Sequence, residues 1–329
     1  MVGGGIVAAK KENVLIRAGD CAVTLLPEFG GKIASIRVKK RELLQEPLNP
    51  VLPRNRSMRF DAGDASGWDE CLPSVAACTV GTANGVAAIP DHGDLWREPW
   101  EIEGTSIREQ GTGKNDLSSV TLRGVCFSLP LSLERTVALA ETENGWRLSA
   151  DYTLTNTGRV AVPWSWAAHP LFAAEEGDRI ELPASIRELR VEGSGGGRLG
   201  EAGDRVAWPM AGLAAGGKTD LATVQAKKSG IGDKLFTRAL GVDEGWCNLH
   251  RPRAGVRIRM SFDGSAAPYL GLWLCYGGWP ERPGPKQMCV AMEPSTAPVD
   301  SLAQAGNWSR VLAPGESLSW PLHVDIEVL

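Results

Sequence analysis

RLSADYTLTN, residues 147–156, alternates Leu148, Ala150, Tyr152 and Leu154 with Arg147, Ser149, Asp151 and Thr153. Successive side chains of a strand point to opposite faces, so this period of two marks a strand with one face buried and one wet. GVRIRMSF, residues 255–262, repeats the pattern. There Val256, Ile258, Met260 and Phe262 interleave with Arg257, Arg259 and Ser261. Further short apolar or alternating runs lie at 21–38 and 118–139. Gly, Pro, Asn and Asp punctuate the intervals, and 39 Gly and 21 Pro supply the turns that a many-stranded chain needs. No strand–helix alternation of the kind that builds parallel sheets is visible. The pattern predicts an all-β protein, a large antiparallel sandwich, with short helical turns near 64–70 and 297–305.

The 329 residues are read as a single domain spanning 1–329, with residues 1–19 as a loose N-terminal extension. GSGGGRLGEAGD (193–204) is read as a surface loop, because strand-like segments flank it. Hydrophobic residues make up 43% and charged residues 22%, an ordinary globular balance that argues against disorder. A net charge of −4, with no basic run longer than Lys39–Arg41, speaks against nucleic acid or an anionic membrane surface as partner. No window reaches the roughly 18 apolar residues of a membrane helix. Seven cysteines, an odd number without a Cys-x-x-Cys pair, sit mostly in apolar surroundings. They are expected to be buried reduced thiols, which points to the cytoplasm.

Four histidines are present. His169 follows the Trp-rich WSW and precedes Pro170, which fixes chain direction. An imidazole held there suits a proton donor, and equally a satisfied histidine at a sheet edge. His92 precedes Gly93, which allows close approach of backbone or ligand, and a structural turn reads as well. His250 among Arg251, Pro252 and Arg253 reads as a polar turn, and His323 as a last-strand structural residue. Glu293 ends the apolar run Met288–Met292. Carboxylates are seldom buried alone, so either a basic partner compensates Glu293 or the group is poised for chemistry. No metal-ligand spacing, dinucleotide loop, phosphate loop or nucleophile elbow occurs, so no metal and no cofactor is expected.

HGDLWREPW (92–100), AAHPLFAAEEGDRIELP (167–183), YLGLWLCYGGWP (269–280) and VAMEPSTAPVDSL (290–302), in that order, resemble the aldose 1-epimerase, or galactose mutarotase-like, family. PEFGGKIASIRV (27–38) and GWDECLPS (67–74) extend the resemblance from about residue 20 to the C-terminus. The resemblance implies a β-supersandwich of antiparallel sheets. It also implies a cofactor-free isomerase that interconverts the α and β anomers of a hexose or hexose derivative. In that reading Glu293 is the base at the C1 hydroxyl, His169 protonates the ring oxygen, and His92 helps to hold it. Arg59, Asp69, Asp233 and Trp273 would contact the monosaccharide, with Lys234 as the rival of Asp233 and with Glu70 and Trp96 as further lining. Ala168–Phe172 departs from the galactose enzymes at this place, and Ser66–Trp68 lacks an arginine of the hexose-6-phosphate branch, leaving Arg97 as a displaced counterpart. The competing reading is a non-catalytic carbohydrate-binding protein on the same fold, since fold alone does not fix function.

Overall fold

A computed structural model describes residues 13–51, 53–109 and 115–329. The strand Gly145–Asn156 shows the burial that its alternation dictates, with Leu148, Ala150, Tyr152 and Leu154 all buried. It lies between Leu131–Thr142 and Ser317–Val328, antiparallel to both. Ser317–Val328 continues to Val256–Phe262, whose Val256, Ile258, Met260 and Phe262 face the same core. Among the described residues, nineteen strands join in one closed sheet, and three two-stranded ribbons stand apart from it. Among the described residues the paired strands run antiparallel except Val14–Ala18 and Asn115–Val125, which meet in parallel at Ile16↔Leu117. The expected all-β antiparallel architecture is therefore observed. Regular helix among the described residues is confined to three-residue 3₁₀ turns.

A contiguous run of strands carries the site. Ile231–Phe236 pairs with Tyr269–Tyr276, which pairs with Met288–Ser295, then Ala167–Ala173, then Trp68–Cys71. The middle three of these strands are buried on both faces and read as nearly unbroken apolar runs rather than alternations. Apolar side chains from Val14 to Ile326 form one continuous cluster beneath them. Six of the seven cysteines are buried and all seven are free thiols, as expected.

Some expectations shift. The helical turn expected near 64–70 lies earlier, at Phe60–Ala62, and Trp68–Cys71 is a strand. Leu302–Gln304 supplies the turn expected within 297–305. Val14–Ala18, assigned to the loose extension, pairs with Cys21–Leu26, because its alternating Val14, Ile16 and Ala18 are buried. Residues 1–12 lie outside the described residues. Strand Glu188–Ser194 reaches into the 193–204 segment and ties it to Ile231–Phe236. His250 belongs to the strand Trp246–Arg251, and the turn begins after it. No helix among the described residues is long and apolar enough to cross a membrane.

Candidate functional site

Strand parity determines what faces the site. Register pairs Lys234 with Trp273 and Trp273 with Ala291; it pairs Phe236 with Gly271 and Gly271 with Glu293. Ala291 stands opposite Leu171, and Asp69 opposite His169. Residues two apart share a face, so Lys234, Trp273, Glu293 and His169 point the same way from four adjacent strands. Gly271 keeps room beside Glu293: a Cβ there would lie 3.3 Å from the Glu293 Cβ.

Loops close a cavity of about 580 Å³ over this face. That lies within the roughly 300–1,000 Å³ common for small-molecule sites. His92, at φ +58°, turns in from the loop and stacks on Phe60 with ring centroids 3.7 Å apart. Its ring meets His169 edge-on at 5.2 Å. Asp91 Oδ2 lies 3.0 Å from His92 Nδ1. Burial would raise the Asp91 carboxyl, but His92 and Arg97 hold it below the usual range. Trp273, Trp279 and Phe60 supply apolar walls, and Gln287 accepts the Trp273 indole N–H at 3.0 Å.

The reactive centre is the group around Glu293, whose side chain is fully buried. Lys234 Nζ donates to Glu293 Oε2. Asp300 Oδ1 lies 3.4 Å from the same ammonium. Burial would lower Lys234, yet Asp300 and Glu293 outweigh it and hold the ammonium well above its ordinary range. Glu293 Oε1 accepts no hydrogen bond among the described residues and sits 3.7 Å from His169 Nε2. Burial first, then His92 and Lys234, hold His169 well below the ordinary histidine value. A carboxylate oxygen and an imidazole thus face one cavity a few ångströms apart, an arrangement able to take a proton at one point and give one at another.

The same architecture occurs in solved structures. The Slr1438 protein of Synechocystis sp. PCC 6803 superposes with a TM-score of 0.69 at 17% identity, covering 100% of both chains. A galactose mutarotase-like protein from Lactobacillus casei gives 0.60 at 17% identity, covering 96% of this chain and 100% of its own. An aldose epimerase homologue from C. elegans gives 0.63 at 12% identity over 97% and 99%. The fold is galactose mutarotase-like. No family model and no curated protein matches the sequence.

On this galactose mutarotase-like scaffold, His92, His169, Glu293 and Trp273 come together in the cavity, and Arg59 stands at its rim. Arg59 is largely exposed and gives its Nε and Nη2 to Asp61. Four other expected contacts, Asp233, Asp69, Glu70 and Trp96, are corrected. Asp233 is one residue out of phase, so it faces away and accepts from Ser194 and Arg198, while its rival Lys234 faces the cavity. Asp69 shares a face with His169 but is buried under the 54–66 loop, where Lys32 Nζ donates to it at 2.6 Å and Arg54 at 3.2 Å. Glu70 points to the opposite side and accepts from Arg135, Tyr152 and Trp166. Trp96 is buried behind Phe60. Arg97, lowered to about 10 by burial, spends its donors on the carbonyls of Met58, Asp91 and Gly93 and so braces the His92 turn. Sequence reasoning missed Phe60, Asp91, Trp279, Gln287 and Asp300. Of these only Asp300, seven residues beyond Glu293 in a Pro-rich turn, carried a signal.

Proposed function

We propose that the protein is an aldose 1-epimerase acting on a monosaccharide, with Glu293 as base and His169 as acid. The observation that carries this reading is the approach of Glu293 Oε1 to His169 Nε2 at 3.7 Å on one wall of the cavity, with Oε1 free of hydrogen bonds among the described residues. Lys234 engages Oε2 and so directs Oε1 toward a ligand. In the proposed reaction Glu293 takes the proton of the C1 hydroxyl. The electron pair forms the C1 carbonyl, the bond from C1 to the ring oxygen breaks, and imidazolium His169 gives its proton to that oxygen. After rotation about C1–C2 the ring closes on the other face, with both groups acting in reverse. Such a positioned acid and base each contribute typically about 10²–10⁴-fold. Ring opening is an intramolecular step of modest barrier, so the pair suffices without a covalent intermediate. His92, stacked on Phe60 beside His169, supports the ring oxygen, and Trp273 and Trp279 receive the C–H face of the sugar.

Glu293→Gln tests the reading by polarimetry or exchange NMR on an aldose panel. The expected result is loss of rate acceleration by about 10²-fold or more, with circular dichroism unchanged. Equal anomerisation rates in variant and parent would refute it. A second reading, an aldose-binding protein without catalysis, draws on His169, where burial, His92 and Lys234 disfavour the imidazolium that the acid step calls for. Sugar binding without any rate gain across the panel would decide for it.

A further inference from the structure

Charge on the cavity floor is unbalanced. Glu293 and Asp300 face it against the single ammonium of Lys234, which engages both, and Asp91 adds a further carboxylate from the loop beside His92. At the rim Asp61 is matched by Arg59, and its carbonyl accepts from Arg282. Two buried arginines, Arg54 and Arg97, lie outside the cavity lining and turn their donors to protein acceptors. Arg97 serves backbone carbonyls, and Arg54 serves Phe29 O, Trp96 O, Asp64 and Asp69. Phosphate and sulfonate recognition uses bidentate guanidinium contacts, and the floor of this cavity offers none.

Asp300 is built in rather than incidental. Its N–H donates to Glu192 Oε1 at 2.9 Å, and its carbonyl accepts from Val75 N at 3.0 Å and Ala76 N at 2.8 Å. The backbone is thus fixed between two segments, and the side chain is aimed into the cavity. Its Oδ1 is buried, with Lys234 Nζ at 3.4 Å, longer than a charge-assisted hydrogen bond. Burial raises its carboxyl, which is the mark of an acid short of compensation.

We propose that Asp300, backed by Asp91, sets the charge class of the ligand: it admits uncharged aldoses and amino-aldoses and refuses phosphorylated or sulfonated ones. An aldose hydroxyl or a sugar ammonium donates to Asp300 Oδ1, whereas an anion on the cavity floor meets the carboxylates of Asp300 and Glu293, and the arginine of the lining, Arg59, stands at the rim paired with Asp61. The inference rests on reading the cavity as an aldose site and is independent of whether catalysis occurs there.

The test measures binding by titration calorimetry and anomerisation by exchange NMR on the full chain, with glucose, glucosamine and glucose 6-phosphate as probes. Glucose and glucosamine are expected to bind at least about tenfold more tightly than glucose 6-phosphate, since like-charge juxtaposition is strongly unfavourable. Asp300→Asn is expected to narrow that ratio to about threefold or less and to cost glucosamine more than glucose. Asp300→Ser serves as a second variant if the amide perturbs the fold, and the parent's ratio decides the charge class by itself. Glucose 6-phosphate binding as tightly as glucose overturns the inference and leaves the acid–base reading standing. An unchanged ratio in both variants overturns the assignment to Asp300. The expected binding order without any rate acceleration upholds the inference and overturns the epimerase reading. Failure of all three sugars to bind overturns both.

Discussion

Replacing Lys234 by methionine removes one charge and keeps the alkyl stem that brings the ammonium to 5.2 Å from the Phe236 ring centroid. It strips the cation from Glu293, which is fully buried, and from Asp300, whose carboxylate is 3.4 Å away. At that distance and an effective dielectric of about 20, the Asp300 attraction alone is about 5 kcal/mol before desolvation is counted. Desolvation offsets much of it in the parent, but the variant retains the buried carboxylates without their partner. Breaking a buried pair in this way costs about 3–5 kcal/mol. An unfolding entropy of about 2.1 cal/mol/K per residue over 329 residues gives about 0.7 kcal/mol/K, so the melting midpoint should fall by about 4–7 °C. The deficit should also depend on pH. Asp300 already titrates above its ordinary value, and Lys234 is what lowers it. Without the ammonium it titrates higher still and takes up a proton before the parent does as pH falls. The folded variant then binds more protons than the folded parent, so the stability gap narrows from pH 7 toward the carboxylate range. Urea unfolding of both proteins at pH 7.5 and pH 5 would measure it. A deficit below about 1 kcal/mol, or one that is the same at both pH values, would show that the cluster is not the buried charge group inferred from its geometry.

Three further outcomes are expected. Since burial holds His169 well below 6.5, its imidazolium fraction grows as pH falls from neutrality, and kcat/KM corrected for the solvent reaction should peak below pH 6.5; a peak above 7.5 would count against His169 as the acid. Gly93→Ala would place a Cβ 2.2 Å from Leu72 O at φ +70°, so it should cost more than about 1 kcal/mol in denaturant unfolding and lower kcat by displacing His92. Asp69→Asn should leave KM for the sugar unchanged while lowering stability by about 3–5 kcal/mol, because Lys32 and Arg54 lose a buried partner; a raised KM would return Asp69 to the binding site.

The sheet was legible because period-two alternation is a direct print of one wet and one dry face, as in Leu148–Leu154 and Val256–Phe262. The central site strands print nothing of the kind. In Ile231–Phe236 four consecutive residues from Asp233 onward are buried, so the sequence could not say whether Asp233 or Lys234 meets the cavity; register alone decides. Glu293 was legible as a carboxylate where none should sit uncompensated, and the anticipated basic partner is Lys234. Asp69 was misplaced because its partner Arg54 lies fifteen positions upstream in an irregular loop, where pattern reasoning has no grip. Phe60 was invisible for the same reason: a lone aromatic in a polar stretch acquires meaning only from the imidazole stacked upon it.

Glu293 and His169 are set by adjacent paired strands, whereas Arg59, Phe60, Asp91 and Asp300 come from connecting segments. The two sets can therefore mutate separately. Variation in the connecting segments can change which ligands are admitted while the proton-handling pair keeps its spacing, and loop grafting is the natural route to altered selectivity. A change that shifts the register between Ala167–Ala173 and Met288–Ser295 has no such freedom. By moving one strand a single step it would turn Glu293 or His169 to the opposite face, and selection acting on the cavity must hold that pairing fixed.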